Sequence, residues 1–316
     1  LIFCFSYGQA SANSLSERFV HFEFGERMVE FKNKLPGASW LVAVVVALLG
    51  VLSPSRVLSA ATHYDVYLLA GQSNMDGRGK AKDLPADQRA PSPAIIFYRN
   101  PSATSDGWKP LAPGYSVSAG YKGPIPSRTF GPEIGFAGAM LKAQPDHPLA
   151  LIKGSKGGTS LAKDWKPGTK DKPDTQGPCY RHFVETIQLA FKELESRGDT
   201  YTIAGLLWHQ GESDAHSTAE VYQEQLTTLI GRFREEVGQP ELPVVVGEVF
   251  DNGKRDPVRA AQKAVATSVP HVGFASSDGL TTWDGGTHFD AASQLSLGQR
   301  FAEATMKLQH RPPRTP

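Results

Sequence analysis

The chain has 316 residues, enough for two small domains or one large α/β domain. Its 40% hydrophobic and 21% charged residues can build a core, which excludes a disordered chain. Its 33 basic and 32 acidic residues leave a net charge of +1, so electrostatics give no case for nucleic acid or another polyanion as partner.

The first element in chain order is the apolar run at residues 40–52, WLVAVVVALLGVL, which follows Lys32 and Lys34 and precedes Ser59-Ala60-Ala61. This is the layout of a secretory signal peptide, and the run is shorter than the roughly 20 apolar residues of a membrane span. An uncleaved anchor and a buried core helix are the alternatives. The chain begins with Leu1, and Met28 stands just ahead of the lysines. Residues 1–61 are therefore expected to be an upstream extension plus a signal peptide of about 28–61, leaving 62–316 as one secreted or periplasmic domain without stable membrane insertion. Removing 1–61 takes away five basic and four acidic residues and leaves the charges balanced. Of the two cysteines, Cys4 leaves with the segment and Cys179 remains unpaired, so neither a disulfide framework nor a Cys-based zinc site is supported.

From Asp65 onward, short aliphatic runs alternate with stretches of helical period, the pattern of a parallel sheet covered on both faces. Strands are predicted at 66–70, 94–98, 149–153, 203–208, 243–249 and 271–275. Helices are predicted at 132–142, 180–197, 219–237, 257–268 and 291–309. In the second helix Phe183, Ile187, Ala190, Phe191 and Leu194 recur at three and four, making one apolar face. Residues 83–93, 101–128 and 163–178 are rich in Pro, Gly, Ser and charge and read as long loops.

Four polar, glycine-containing blocks follow strand ends, where ligands collect in α/β folds. The first is Gly71-Gln72-Ser73-Asn74-Met75-Asp76-Gly77. There Ser73 is either a helix N-cap or a hydroxyl exposed in a turn. The second, Gly154-Ser155-Lys156-Gly157-Gly158-Thr159-Ser160, misses the phosphate-loop spacing. Gly157 and Gly158 can still bring backbone N–H groups to a developing oxyanion, or simply form a turn.

The third block is Trp208-His209-Gln210-Gly211-Glu212-Ser213-Asp214. His209, Glu212 and His216 do not follow His-Glu-x-x-His, and no metal is expected. Gln210 can offer an amide to an oxyanion, and Glu212 can orient a histidine. In the fourth, Trp283-Asp284-Gly285-Gly286-Thr287-His288-Phe289-Asp290, His288 is a candidate general base with Asp284 four residues earlier, and Asp290 reads as the N-cap of the last helix. Together the blocks supply a nucleophile, oxyanion donors and a base, the requirements of acyl transfer on an ester.

Gly71-Gln72-Ser73-Asn74-Met75, Gly157-Gly158-Thr159, Trp208 to Asp214 and Thr287-His288-Phe289, in this order, resemble the SGNH/GDSL hydrolase superfamily. Within it the match is to the sialate O-acetylesterase and acetylxylan esterase group, carbohydrate esterase family 6, over about 65–309. The resemblance implies an α/β fold, three-layer α/β/α with a central parallel sheet and flavodoxin-like. It also implies a cofactor-free, metal-independent serine esterase that removes O-acetyl groups from carbohydrate. Carried over, Ser73 is the nucleophile and His288 the base, while the Ser73 N–H, Gly157 or Gly158 and the Gln210 amide form the oxyanion hole. The superfamily has Asp-x-x-His, whereas Asp284 lies four residues before His288, so the acidic member is Asp284 or Glu212. A glycine pair can absorb one inserted residue, which ranks Asp284 first. A non-catalytic carbohydrate-binding protein on the same fold and a short-chain lipid or thioester hydrolase are the rival readings.

Overall fold

The computed structural model describes residues 61–117 and 129–309, together with the backbone of the strands Arg18–Phe24 and Arg27–Asn33. Those two strands pair antiparallel within the stretch expected to be upstream extension and signal. The apolar run 40–52, Cys4 and residues 118–128 of the second long loop lie outside the described residues.

The aliphatic runs become one eight-stranded sheet. Its strands are β1 (His63–Gly71), β2 (Ile95–Asn100), β3 (Ala103–Thr104), β4 (Lys109–Pro110), β5 (Leu149–Ser155), β6 (Thr200–His209), β7 (Val244–Gly247) and β8 (Val272–Ala275). The order is β8-β7-β6-β1-β5-β2-β3, with β4 also on β2. The pairs β2/β5, β5/β1, β1/β6, β6/β7 and β7/β8 are parallel, and only the short edge pieces β3 and β4 run antiparallel.

Helices α1 (Ser73–Asp76), α2 (Glu133–Ala143), α3 (Pro178–Ser196), α4 (Ala219–Glu236), α5 (Asp256–Ser268) and α6 (Ala291–Leu308) follow or connect the strands. Alternation along β1 divides the core. Val66, Leu68 and Ala70 face α3, α4 and α5 through Phe183, Phe233 and Val265, while Tyr67 and Leu69 face α2 and α6 through Phe136 and Phe301. Strands buried on both faces must be aliphatic throughout, which is why these runs lack a polar alternation. Asp290 caps α6 by accepting the Ser293 N–H at 2.8 Å, as its place in the sequence predicts.

The parallel order places the carboxyl ends of β5, β1 and β6 side by side. Gly71 is in register with Ser155 of β5 and with His209 of β6. Three of the four sequence blocks therefore start on one line across the sheet.

Candidate active site

Ser73 opens α1 directly after β1 and is 4% exposed. Gln72, not Ser73, occupies the cap position, so the N-cap reading of Ser73 does not hold. The turn rests on a buried polar cluster. Asp76 accepts from Arg78 at 2.7 Å, Tyr98 Oη at 2.9 Å, Ser155 Oγ at 3.0 Å and the Val117 N–H at 2.9 Å. Beside it the fully buried Lys153 ammonium donates to the Asp76 carbonyl at 2.7 Å and to Glu133 at 2.9 Å. Charges removed from water persist only when paired in this way, and breaking such a pair leaves an uncompensated charge. The cluster holds the serine turn from below.

Gly157 lies against this turn. A Cβ there would touch Ser73 Cβ at 3.4 Å, an ordinary contact, and fall 2.9 Å from Arg78 Nη2, so the guanidinium that pairs with Asp76 would have to shift. Gly158, beside it, faces open space. Among the described residues, no hydrogen-bond acceptor takes the N–H of Ser73 or of Gly157. Two adjacent backbone donors without partners are what an oxyanion requires.

Residues 282–289 form a narrow strap, closed by a bridge between Thr282 and Phe289 and by the Trp283 N–H on the His288 carbonyl at 3.0 Å. At its bend Gly285 and Gly286 have φ of +79° and +149°, conformations L side chains rarely adopt. This kink turns the strap so that Asp284 meets His288 across the three residues between them. Asp284 Oδ1 accepts the N–H groups of Thr287 at 3.0 Å and His288 at 2.9 Å, while its Oδ2 lies 2.6 Å from His288 Nδ1. Burial raises the Asp284 carboxyl, but the donations from His288 and Thr287 outweigh it and hold the group below the ordinary aspartate range. An ionised carboxylate can only accept, so Nδ1 carries the imidazole proton and Nε2 presents its lone pair. The Ser73 hydroxyl makes no hydrogen bond among the described residues. Catalytic hydrogen bonds often close only when substrate is bound.

Asn74, the residue after Ser73, joins these parts. Its Nδ2 donates to the Thr287 carbonyl at 2.9 Å and its Oδ1 accepts the Phe289 N–H at 3.0 Å, gripping the backbone on both sides of His288. The same Nδ2 donates to Glu212 Oε1 at 2.6 Å. Glu212 is thus placed on Asn74 and not on the His288 ring. Arg255, largely buried, ties the strap from the other side through the Gly286 carbonyl and Thr287 Oγ1, each at 3.0 Å. Neither Asn74 nor Arg255 is singled out by sequence reasoning. The place of Asn74 directly after a candidate nucleophile is the one signal available for it, and Arg255 carries none.

The surroundings of Gln210 differ from those expected of an oxyanion donor. It is fully buried, and its Nε2 faces three acceptors: Gln72 Oε1 at 3.1 Å, the Thr159 carbonyl at 3.0 Å and Asp214 Oδ2 at 2.5 Å. Two amide hydrogens among three internal acceptors leave none for an oxyanion. Its own oxygens take Tyr222 Oη and Gln262 Nε2, so the residue knots the block into the core. His209 is likewise buried, its Nε2 on the Glu248 carbonyl at 3.2 Å and its Nδ1 4.0 Å from Glu212. Among the described residues no group of side chains gathers that could hold a metal, and no helix is long and apolar enough to cross a membrane.

Residues 63–307 match the family model described as carbohydrate esterase, sialic acid-specific acetylesterase. A curated Arabidopsis thaliana protein named a probable carbohydrate esterase is 27% identical over 256 residues, covering 76% of this chain and 89% of that protein. An X-ray structure from Arabidopsis thaliana superposes with a TM-score of 0.60 at 24% identity, covering 77% of this chain and 98% of that one. A carbohydrate acetylesterase from Xanthomonas citri gives 0.57 at 20% identity, covering 78% and 57%. At these identities the two solved structures speak for the fold.

Proposed function

Because the chain belongs to the sialic acid-specific acetylesterase family of carbohydrate esterases, which are carboxylic ester hydrolases, we propose that it deacetylates carbohydrate through an acetyl-serine intermediate on Ser73. The observation that carries this reading is the 2.6 Å contact between Asp284 and His288 Nδ1, on a strap gripped by the neighbour of Ser73.

His288 Nε2 removes the Ser73 proton as Oγ bonds to the acetyl carbon. The carbonyl oxygen becomes an oxyanion opposite the Ser73 and Gly157 N–H groups, with Gly158 adjacent. Collapse breaks the bond to the sugar oxygen, which leaves with the proton from His288. Water then gives a proton to His288, its oxygen bonds to the acetyl carbon, and acetate departs as Ser73 recovers its proton. Asp284 keeps the imidazole in the productive tautomer and balances the imidazolium formed twice per cycle. Glu212 acts one step removed, by holding Asn74.

Acetylated carbohydrate is the substrate of this reading, and export through the apolar run at 40–52 is its cellular counterpart. The test is acetate release from acetylated glycans and from p-nitrophenyl acetate, with mass spectrometry of the quenched enzyme. A 42-Da adduct (roughly one acetyl group) on the Ser73 peptide is expected for an acyl enzyme. Turnover that survives Ser73→Ala overturns the reading.

A further inference from the structure

Trp283 is 49% exposed, one of three large hydrophobic residues so exposed among those described; the others, Leu189 and Val221, sit on the outer faces of α3 and α4. Its place is different. The indole stacks on His288 with ring centroids 6.0 Å apart and planes inclined by 18°. Lys80, on the two-residue strand Gly79–Lys80 that follows the serine turn, puts its ammonium 5.3 Å from the centre of the indole.

Leaving an indole half in water forgoes the stabilisation of burying a large aromatic surface, so a ring kept there against the catalytic base has another use. Aromatic side chains combine a flat apolar face with little conformational freedom, which makes them the usual anchors of recognition. The apolar C–H face of a pyranose ring fits such a surface, and the Lys80 ammonium over the indole brings three N–H donors that ring hydroxyls or a substituent can accept. The cation also lies within the distance at which it is attracted to the ring, holding both partners in place.

We infer that Trp283 and Lys80 form the sugar subsite of this enzyme, stacking the pyranose ring that carries the acetyl ester beside His288. The inference rests on the esterase reading above and assigns to it the surface that separates a glycan ester from any other acetyl ester. p-Nitrophenyl acetate needs only the serine, the base and the oxyanion donors, whereas an acetylated oligosaccharide also needs the ledge.

The experiment measures kcat/KM on an acetylated xylo-oligosaccharide and on p-nitrophenyl acetate for the full chain, Trp283→Ala, Trp283→Phe and Lys80→Met. The ratio of glycan to small-ester efficiency is expected to fall at least tenfold in Trp283→Ala, mainly through KM. A smaller fall is expected in Lys80→Met, and the ratio is expected to recover substantially in Trp283→Phe. A parallel loss on both esters overturns the inference, because Trp283 then acts only by holding His288. An unchanged ratio overturns it as well.

Failure of the esterase reading is distinguishable, because Ser73→Ala would then keep its turnover. Binding can be followed in the Ser73→Ala background. Trp108, Trp165 and Trp208 are buried, so Trp283 is the exposed tryptophan among the described residues. Acetylated oligosaccharide is expected to change the fluorescence of Ser73→Ala but not of Ser73→Ala/Trp283→Phe. Equal responses in the two proteins overturn the subsite.

Discussion

The strap at 282–289 and the block at 209–214 look alike in sequence, each a histidine, an acid, glycine and amide or hydroxyl groups after a strand, yet they are built oppositely. In the inner block His209 and Gln210 are fully buried and the Gln210 amide is consumed by internal partners. In the outer strap His288 and Asp284 remain 24% and 23% exposed, and one imidazole nitrogen is left uncommitted. A polar group does chemistry only if it keeps an unspent donor or lone pair facing the reactants, and that property separates the two regions better than residue type.

The sharpest way to break this comparison is to remove one carboxylate from each region. Asp284→Asn should lower kcat by about 10⁴-fold, the order seen when a triad acid no longer fixes the tautomer, with little change in the melting midpoint. Glu212→Gln, which keeps an acceptor for Asn74, should cost far less, and kcat/KM on p-nitrophenyl acetate measures both. Equal losses would put Glu212 in the reaction itself.

Gly157→Ala comes next. Its Cβ would fall 2.9 Å from the Arg78 guanidinium, which pairs with Asp76 under the serine turn, and displacing it would disturb the oxyanion donors, so kcat should fall by about 10²–10³-fold with KM less affected. Gln210→Ala reverses the pattern. It leaves the partners of a buried amide unsatisfied and should cost about 1–3 kcal/mol of stability in urea unfolding. Loss of turnover at full stability would return Gln210 to the oxyanion hole.

The smallest effect concerns acid. Burial holds the His209 ring below its ordinary value, and His182 is shifted the same way by burial and by Arg99. As pH falls below about 6.5 the unfolded chain takes up protons that the folded chain refuses, so stability is retained above that pH and declines toward the depressed folded values. The slope is at most about 1.4 kcal/mol per pH unit for each histidine. His209→Gln should flatten the dependence of the urea midpoint between pH 7 and pH 5, and an unchanged slope would mean that His209 is protonated in the fold.

The sheet was legible because strands covered on both faces must be continuous aliphatic runs, and each predicted strand and helix has its counterpart in the parallel sheet and its layers. Ser73, Gly157, His288 and Asp284 stand out in the sequence because backbone freedom and side-chain chemistry coincide at strand ends, and the fold sets Gly157 against the Ser73 turn and Asp284 on His288. Asn74 was not, because its function lies in partners 138 and 213 residues away. The internal partners of Gln210 were not legible for a related reason: a motif shows that an amide is present but not where its hydrogens are spent. Trp283 follows no periodic pattern, and its meaning comes only from the imidazole it lies on.

The grip of Asn74 on the peptide groups flanking His288 has a consequence for how such a site can change over time. Loops carrying specificity can lengthen or be rewritten while the serine turn and the base strap travel as one piece, since a single amide sets their spacing. Variation in loops away from the strap is thereby uncoupled from the alignment of Ser73 and His288, whereas a change at Trp283, which lies on the strap against the imidazole, is not.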